Sequence, residues 1–262
     1  MAIEIFNRCE SKFLIDKVTY ENIQHKLLKY MEFDEYNKTY EFYTISNIYF
    51  DTKDNYLIRS SLSKPKYKEK LRLRGYGIPG EEDKVYLEIK KKVCGVVNKR
   101  RTALMLKEAY DFVRTGVKPE IKDYMNKQVV NEIEYILKIY DLEPTLYLAY
   151  DRKALFSKEN RNLRITFDRN IRTRRYDLKL EQGDYGDNLL EDDQWLMEVK
   201  TSKSIPLWLC KLLSEYEIVS TSFSKYGEEY QRMLLNDRNL KGEINLCLKQ
   251  YSTQPQLIQQ YL

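Results

Sequence analysis

Arg8, Glu10 and Lys12 stand two residues apart near the start of the 262-residue chain. A strand there carries all three on one face, with Ile5, Cys9 and Phe13 on the other. Two cations flanking a carboxylate can hold a phosphate chain together with a metal ion. Arg grips phosphate with paired N–H donors, Lys supplies a point charge, and a carboxylate holds Mg²⁺ or Mn²⁺ that also bridges phosphate oxygens. An ordinary solvated sheet face has the same look. The alternation recurs, though. Lys70, Arg72 and Arg74 share a strand face with no acid among them, Glu88, Lys90 and Lys92 share another, and Arg152, Arg164 and Lys200 alternate with apolar residues on theirs. Like charges directly opposite one another destabilise a sheet, so a face this basic needs an anion from the chain or from a ligand. Its own acids are sparse: Glu10, Glu88, Asp168 and Glu198.

Bulk properties narrow the choice of anion. Charged residues make up 32% and hydrophobic residues 42%, with only 9 Gly and 6 Pro, which is a folded chain and not a disordered one. A net charge of +5 supports no nucleic-acid partner by itself. The aromatics nearest the basic runs, Phe13, Phe50 and Phe167, alternate onto the core side, where they cannot stack bases. There is no GxxxxGK[ST] and no GxGxxG, so nucleotide handling is not of the P-loop or Rossmann kind. One histidine, His25, on a helix surface, argues against His-based metal or Ser-His-Asp chemistry. Cys9, Cys94, Cys210 and Cys247 lack ligand spacing and read as free thiols, Cys9 as a small packing residue, in a reducing, cytoplasmic compartment. No apolar run approaches the roughly 20 residues of a membrane span.

The elements that position these residues are antiparallel strands joined by short links. Strands are expected over residues 5–13, 44–51, 68–75, 84–92, 96–102, 145–152, 163–168 and 195–201, with a short one at 171–176. Asp16 or Thr19 caps a helix running to about Glu32. A helical insertion spans about 104–142, as Leu104 to Arg114, stopped by Gly116, and then Pro119 to about Leu142. Residues 177–193 read as a loop, and two helices, 206–216 and 223–236, close the fold. A single domain over 1–262 with a tail from Lys241 is the expected organisation.

Taken in order, Arg8-x-Glu10-x-Lys12-Phe13, Tyr49-Phe50-Asp51, Lys70-x-Arg72-x-Arg74, Glu88-Ile89-Lys90, Lys99-Arg100-Arg101, Tyr150-Asp151-Arg152, Arg164-Ile165-Thr166-Phe167-Asp168, Met197-Glu198-Val199-Lys200 and Ser224-Lys225-Tyr226 resemble the VTC domains. These are the polyphosphate polymerase branch of the triphosphate tunnel metalloenzymes, the CYTH-like superfamily. The resemblance runs from about residue 4 to 235.

It implies an α+β fold, a closed antiparallel tunnel of about eight strands with charged faces inward and helices outside. It also implies an enzyme that transfers the γ-phosphate of ATP to a growing inorganic polyphosphate chain. By motif position, Lys12, Arg72, Arg74, Arg152, Arg164 and Lys200 carry the catalysis. Arg8, Lys70, Lys90, Lys99, Arg101, Tyr150, Ser224 and Lys225 bind substrate, and Glu198, with Glu10 second, holds Mn²⁺ or Mg²⁺. The superfamily typically begins E-x-E-x-K; Arg8 in place of the first Glu fits the polymerase branch. Ser222 stands where that branch has a basic residue. A triphosphatase of the same fold and a non-catalytic polyphosphate-binding module are the alternatives. The partners implied are ATP and polyphosphate, not nucleic acid, and the chain is cytoplasmic or peripheral to a membrane through a partner protein.

Overall fold

The structure, a computed structural model, describes residues 9–94, 96–202 and 204–240. Arg8, Gly95, Cys247 and the tail from Lys241 lie outside these residues. The chain divides into one compact unit through Phe223 and a second from Ser224.

In the first unit, β1 (Cys9–Asp16) leads directly into α1 (Lys17–Leu27). The Asp16 carboxylate accepts the Thr19 N–H at 2.7 Å and satisfies a donor that the helix start leaves open. The helix ends at Leu27, short of the expected Glu32, and Met31–Phe33 form β2. Met31 and Phe33 pair with Ser157 and Leu155. A strand edge supplied from far along the chain overrides the local helical spacing there. The Tyr-rich connection holds α2 (Glu35–Thr39), capped by Asp34, whose carboxylate accepts the Asn37 N–H.

Next comes β3 (Tyr43–Asp51), and then a further short helix, α3 (Tyr56–Leu62). The buried Asp51 carboxylate explains it, accepting the N–H groups of Thr52, Leu57 and Ile58 at 2.8–2.9 Å. Three strands follow as a meander: β4 (Tyr67–Tyr76), β5 (Lys84–Val93) and β6 (Val96–Met105). Of the insertion, α4 (Leu106–Thr115) ends at Gly116 as its left-handed φ of 70° allows, and α5 (Lys127–Ile139) is shorter than expected because Asn126 caps it. β7 (Glu143–Ser157) and β8 (Arg164–Arg174) are long, and β8 absorbs the separate strand expected at 171–176. β9 (Asp187–Asn188), β10 (Gln194–Thr201), α6 (Leu207–Glu215) and β11 (Ser220–Thr221) complete the unit. The second unit contributes α7 (Lys225–Leu240).

All strands join one 11-stranded antiparallel sheet in the order β11-β1-β10-β8-β7-β3-β4-β5-β6, with β2 and β9 attached to β7 and β8. The path has two ends: among the described residues no ladder joins β6 to β11, so the closed hydrogen-bonded ring of about eight strands is not what this sheet forms.

One face of the sheet is apolar and covered by helices in two clusters. Leu71, Leu73, Leu87 and Ile89 pack under α4 and α5 with Phe112, Val129, Ile133 and Ile136. Phe13, Ile15, Phe167, Met197 and Val199 pack under α1 and α6 with Ile23, Leu27 and Leu209. Each fully buried side chain of this kind stabilises by about 1.5–3 kcal/mol. Cys9 is not part of this packing: it is exposed at the first position of β1. Trp208 is half-buried and stacks on Tyr30 at 4.3 Å, and His25 is exposed on α1.

Candidate functional site

The other face collects the charges, and register decides how. In β4, β5 and β6, Lys70 stands opposite Lys90 and Lys90 opposite Lys99, while Arg72 stands opposite Glu88 and Glu88 opposite Arg101. Across β1, β10 and β8, Lys12 faces Glu198, Glu10 faces Lys200, Glu198 faces Thr166 and Lys200 faces Arg164. Asp168 faces Arg152 on β7. β3 joins the two halves, with Asn47 opposite Arg74 and Tyr49 opposite Arg72.

This face is concave. From β1 to β5 is six strand-to-strand steps, about 29 Å across a flat sheet. Yet Lys90 on β5 interacts electrostatically with Glu10, Lys12 and Lys200, and Lys12 also acts on Lys70. The sheet therefore curls until its two halves face each other. Lys90 touches water, but burial still pulls its ammonium below the ordinary lysine value, only partly opposed by Glu10. The hollow between the two halves is a wet channel lined by cations, with no ladder closing it among the described residues.

At one wall of that channel two carboxylates and two ammonium groups interlock. Lys200 Nζ lies 2.7 Å from Glu198 Oε2 and 3.7 Å from Glu10 Oε2. Lys12 Nζ lies 3.4 Å from Glu10 Oε1 and 3.8 Å from Glu198 Oε1, and donates to the Phe223 carbonyl at 2.7 Å. Burial raises the Glu10 pKa and Glu198 adds to it, but Lys200, Lys90 and Lys12 outweigh both and hold it below the ordinary value. Thus Glu10 is an anion at neutral pH, beside a second carboxylate that is nearly buried. Arg164, half-buried beyond them, reaches Asp34 at 3.6 Å. Thr166, fully buried beside Glu198, has an Oγ1 with no hydrogen-bond partner.

The opposite wall centres on Glu88. Its buried carboxylate lies 2.7 Å from Arg72 Nε, 2.8 Å from Lys99 Nζ and 3.8 Å from Arg74 Nε. Burial alone would raise its pKa; the three cations bring it well below the carboxylate range. Burial in turn pulls Lys99 down to about 7 despite Glu88, and Lys70 down to about 8 despite Tyr49. Tyr49 moves the other way from an ordinary buried phenol. Arg72, Lys70 and Arg74 overcome its burial and lower it to about 8, and Arg72 donates to its hydroxyl at 3.1 Å.

Two sequence-expected cations are internal props and not open contacts. Arg152 is buried and forms a two-pronged pair with Asp168 at 2.6 and 2.8 Å, with Glu198 at 3.6 Å. Arg74 is buried and donates to Asn47 Oδ1 at 2.9 Å and to Tyr150 OH at 3.2 Å. Part of the anion that this face needs therefore comes from the chain itself. Glu88 serves Arg72, Arg74 and Lys99, and Asp168 serves Arg152, because register places each carboxylate beside those cations.

The structure thus brings Glu10, Lys12, Lys70, Arg72, Arg74, Lys90, Lys99, Arg101, Tyr150, Arg152, Arg164, Glu198 and Lys200 to one face. Arg8 lies outside the described residues. Ser224 and Lys225 belong to the second unit, where Ser224 Oγ accepts the Gly227 N–H at 3.3 Å at the start of α7. Tyr49 was missed as a site residue, although strict alternation from Asn47 would have placed it on the charged face. Phe13, Phe50 and Phe167 are buried on the apolar face as expected.

Among the described residues no group of three or more His, Cys, Asp or Glu stands together as a metal cage. A site built from Glu198 and Glu10 suits an ion that takes one or two carboxylates and completes its shell with phosphate and water, as Mg²⁺ and Mn²⁺ do.

The fold is found among solved proteins. A protein from Bacillus halodurans assigned as an adenylate cyclase shares it with a TM-score of 0.52 at 17% identity, covering 84% of this chain and 94% of its own. A protein from Hippeastrum, assigned as an adenylyl cyclase and described as having a dominant triphosphatase activity, gives 0.48 at 18% identity over 83% of this chain and 92% of its own. A Vibrio parahaemolyticus protein assigned as an adenylate cyclase gives 0.45 at 12% identity, over 86% and 98%. No curated protein matches. Residues 7–234 match the VTC domain family, and the chain belongs to that family. Among the described residues no helix is long and apolar enough to cross a membrane.

Proposed function

We propose that this chain is a metal-dependent phosphotransferase that moves the γ-phosphate of ATP onto a growing inorganic polyphosphate chain inside the curled sheet. The observation that carries the reading is the Glu198–Lys200–Glu10–Lys12 cluster, set in a wall of cations that continues through Arg164 and faces Lys90. Glu198 and Glu10 would hold Mn²⁺ or Mg²⁺. When bound, the ion would neutralise phosphate oxygens and the charge that develops on them.

The chain's own groups supply the rest. Lys12 and Lys200 are held against the carboxylates and are positioned to turn toward phosphate oxygens. Arg72, Lys90 and Arg164 line the path. Arg152 and Arg74 act as positioning residues: Arg152 braces Asp168 and Glu198, and Arg74 braces Asn47 and Tyr150. The nucleophile is a terminal phosphate that is already anionic, so no general base is required, and positioning with charge neutralisation supplies most of the catalysis. A cytoplasmic or membrane-peripheral location and a membrane partner for the product belong to the same proposal.

A triphosphatase with water as nucleophile would use the same cations and carboxylates, so the product decides. Incubation with labelled ATP and Mn²⁺ is expected to give long acid-labile chains. Free orthophosphate would identify a hydrolase, and retention without turnover a binding module. Glu198→Gln is expected to abolish turnover and keep part of the anion binding; full metal-dependent activity in that variant would overturn the metal assignment.

A further inference from the structure

The charged face ends differently at its two ends. At one, Lys68 stands opposite Lys92. At the other, β4 closes on Tyr76, two residues past Arg74 and on the same face. Tyr86 lies opposite Arg74, with the Arg101 guanidinium 4.5 Å from its ring centre. Tyr76 meets Tyr86 edge to face at 6.0 Å. Tyr43, opposite Arg152, lies 6.3 Å from Tyr76 and is held by donating its hydroxyl to Asp34 at 3.0 Å. Tyr36 of α2 lies 5.2 Å from Tyr43 and parallel to Tyr76 within 3°, at 5.7 Å. Tyr36 and Tyr76 remain 54% and 38% exposed.

We propose that this tyrosine cluster is a stacking platform for the base of a nucleoside triphosphate whose phosphates lie among the cations. The proposal rests on the reading of the charged face as a triphosphate site, and it selects a nucleotide over inorganic triphosphate as the donor. Four residues of strand span about 13 Å, so Tyr76 follows Arg72, the more open cation of its strand, at roughly the length of a triphosphate with its ribose. Every base has a π face, and aromatic platforms bind bases with little selectivity among them. The exposed rings of Tyr36 and Tyr76 offer that surface, while Tyr43 and Tyr86, tied to Asp34 and Arg101, hold it in place. A tolerant platform accepts GTP nearly as well as ATP.

Calorimetric titration of the full chain with β,γ-imido ATP and with inorganic tripolyphosphate, each with Mn²⁺, tests this without turnover. Y36A/Y76A is expected to weaken the nucleotide about 5- to 150-fold. Tripolyphosphate affinity should change by less than about twofold, and Y76F should keep the wild-type values. Equal losses for both ligands, as a general disturbance of the fold would give, overturn the proposal, and so does no loss for either. Tighter binding of a single-stranded oligonucleotide than of the nucleotide to the wild-type chain also overturns it, by making the platform a nucleic-acid contact. Failure of tripolyphosphate to bind the wild-type chain would instead sink the triphosphate reading beneath it.

Discussion

Replacing Glu88 with Gln should make the protein less stable and, at the same time, a tighter binder of polyanions. The carboxylate is 1% exposed and lies within 4 Å of three cations, Arg72, Lys99 and Arg74. Gln keeps the volume and removes the charge, which leaves those cations facing one another in a low-dielectric wall. Removing one partner of a buried ion pair typically costs about 3–5 kcal/mol. For a domain of this size that lowers Tm by about 6–20 °C. The low end is favoured because Lys99, already down to about 7, can shed its proton to relieve the repulsion. A phosphate chain supplies the missing anion, so tripolyphosphate should raise the variant's Tm more than the wild type's. The pH sign follows from the lowered Glu88 pKa. Its stabilisation is fully present above the ordinary value of 4.5 and is lost as pH falls through the lower folded value, so the gap between the proteins narrows only in strong acid. Thermal melts by circular dichroism over a tripolyphosphate series measure both effects. A variant that melts within about 1 °C of wild type, with no larger ligand shift, would refute the assignment of Glu88 as the internal counter-ion.

The channel should bind tripolyphosphate less well as pH rises from about 6 to 9, because Lys99 (about 7) and Lys70 (about 8) lose protons while Tyr49 (about 8) becomes an anion. Kd measured against pH should flatten in Tyr49→Phe and Lys99→Arg, and an unchanged slope in both speaks against these groups. Asp51→Ala orphans the N–H groups of Thr52, Leu57 and Ile58. It should cost about 2–4 kcal/mol, and an unaltered urea midpoint would remove Asp51 as the cap of α3. Arg152→Lys cannot reproduce the two-pronged grip on Asp168. A loss of about 1.5–3 kcal/mol is expected by urea denaturation; equal stability would mean that the fork is dispensable.

The sequence by itself determined which side chains share a face, because the two-residue period of a strand is a local property. Arg72 with Arg74, Glu88 with Lys90, and Glu198 with Lys200 were legible from alternation, as was the burial of Leu71, Leu73, Phe13 and Phe167 on the other side. The cap at Asp16 and the stop at Gly116 were legible for the same reason. Helix α3 and strand β2 were not, since one depends on Asp51 folding back on the next turn and the other on an edge supplied from residues 155–157. Nor could alternation say whether the charged face looks to solvent or to itself. Curl and register between distant strands decided that, bringing Glu10 within reach of Lys90 and setting Lys12 against Glu198, 186 residues away. Pairing between successive strands gave Arg152 and Arg72 their internal carboxylates, each 16 residues away, and the distant pairing left Lys12, Lys90, Arg164 and Lys200 around the channel as the groups best placed to meet a ligand.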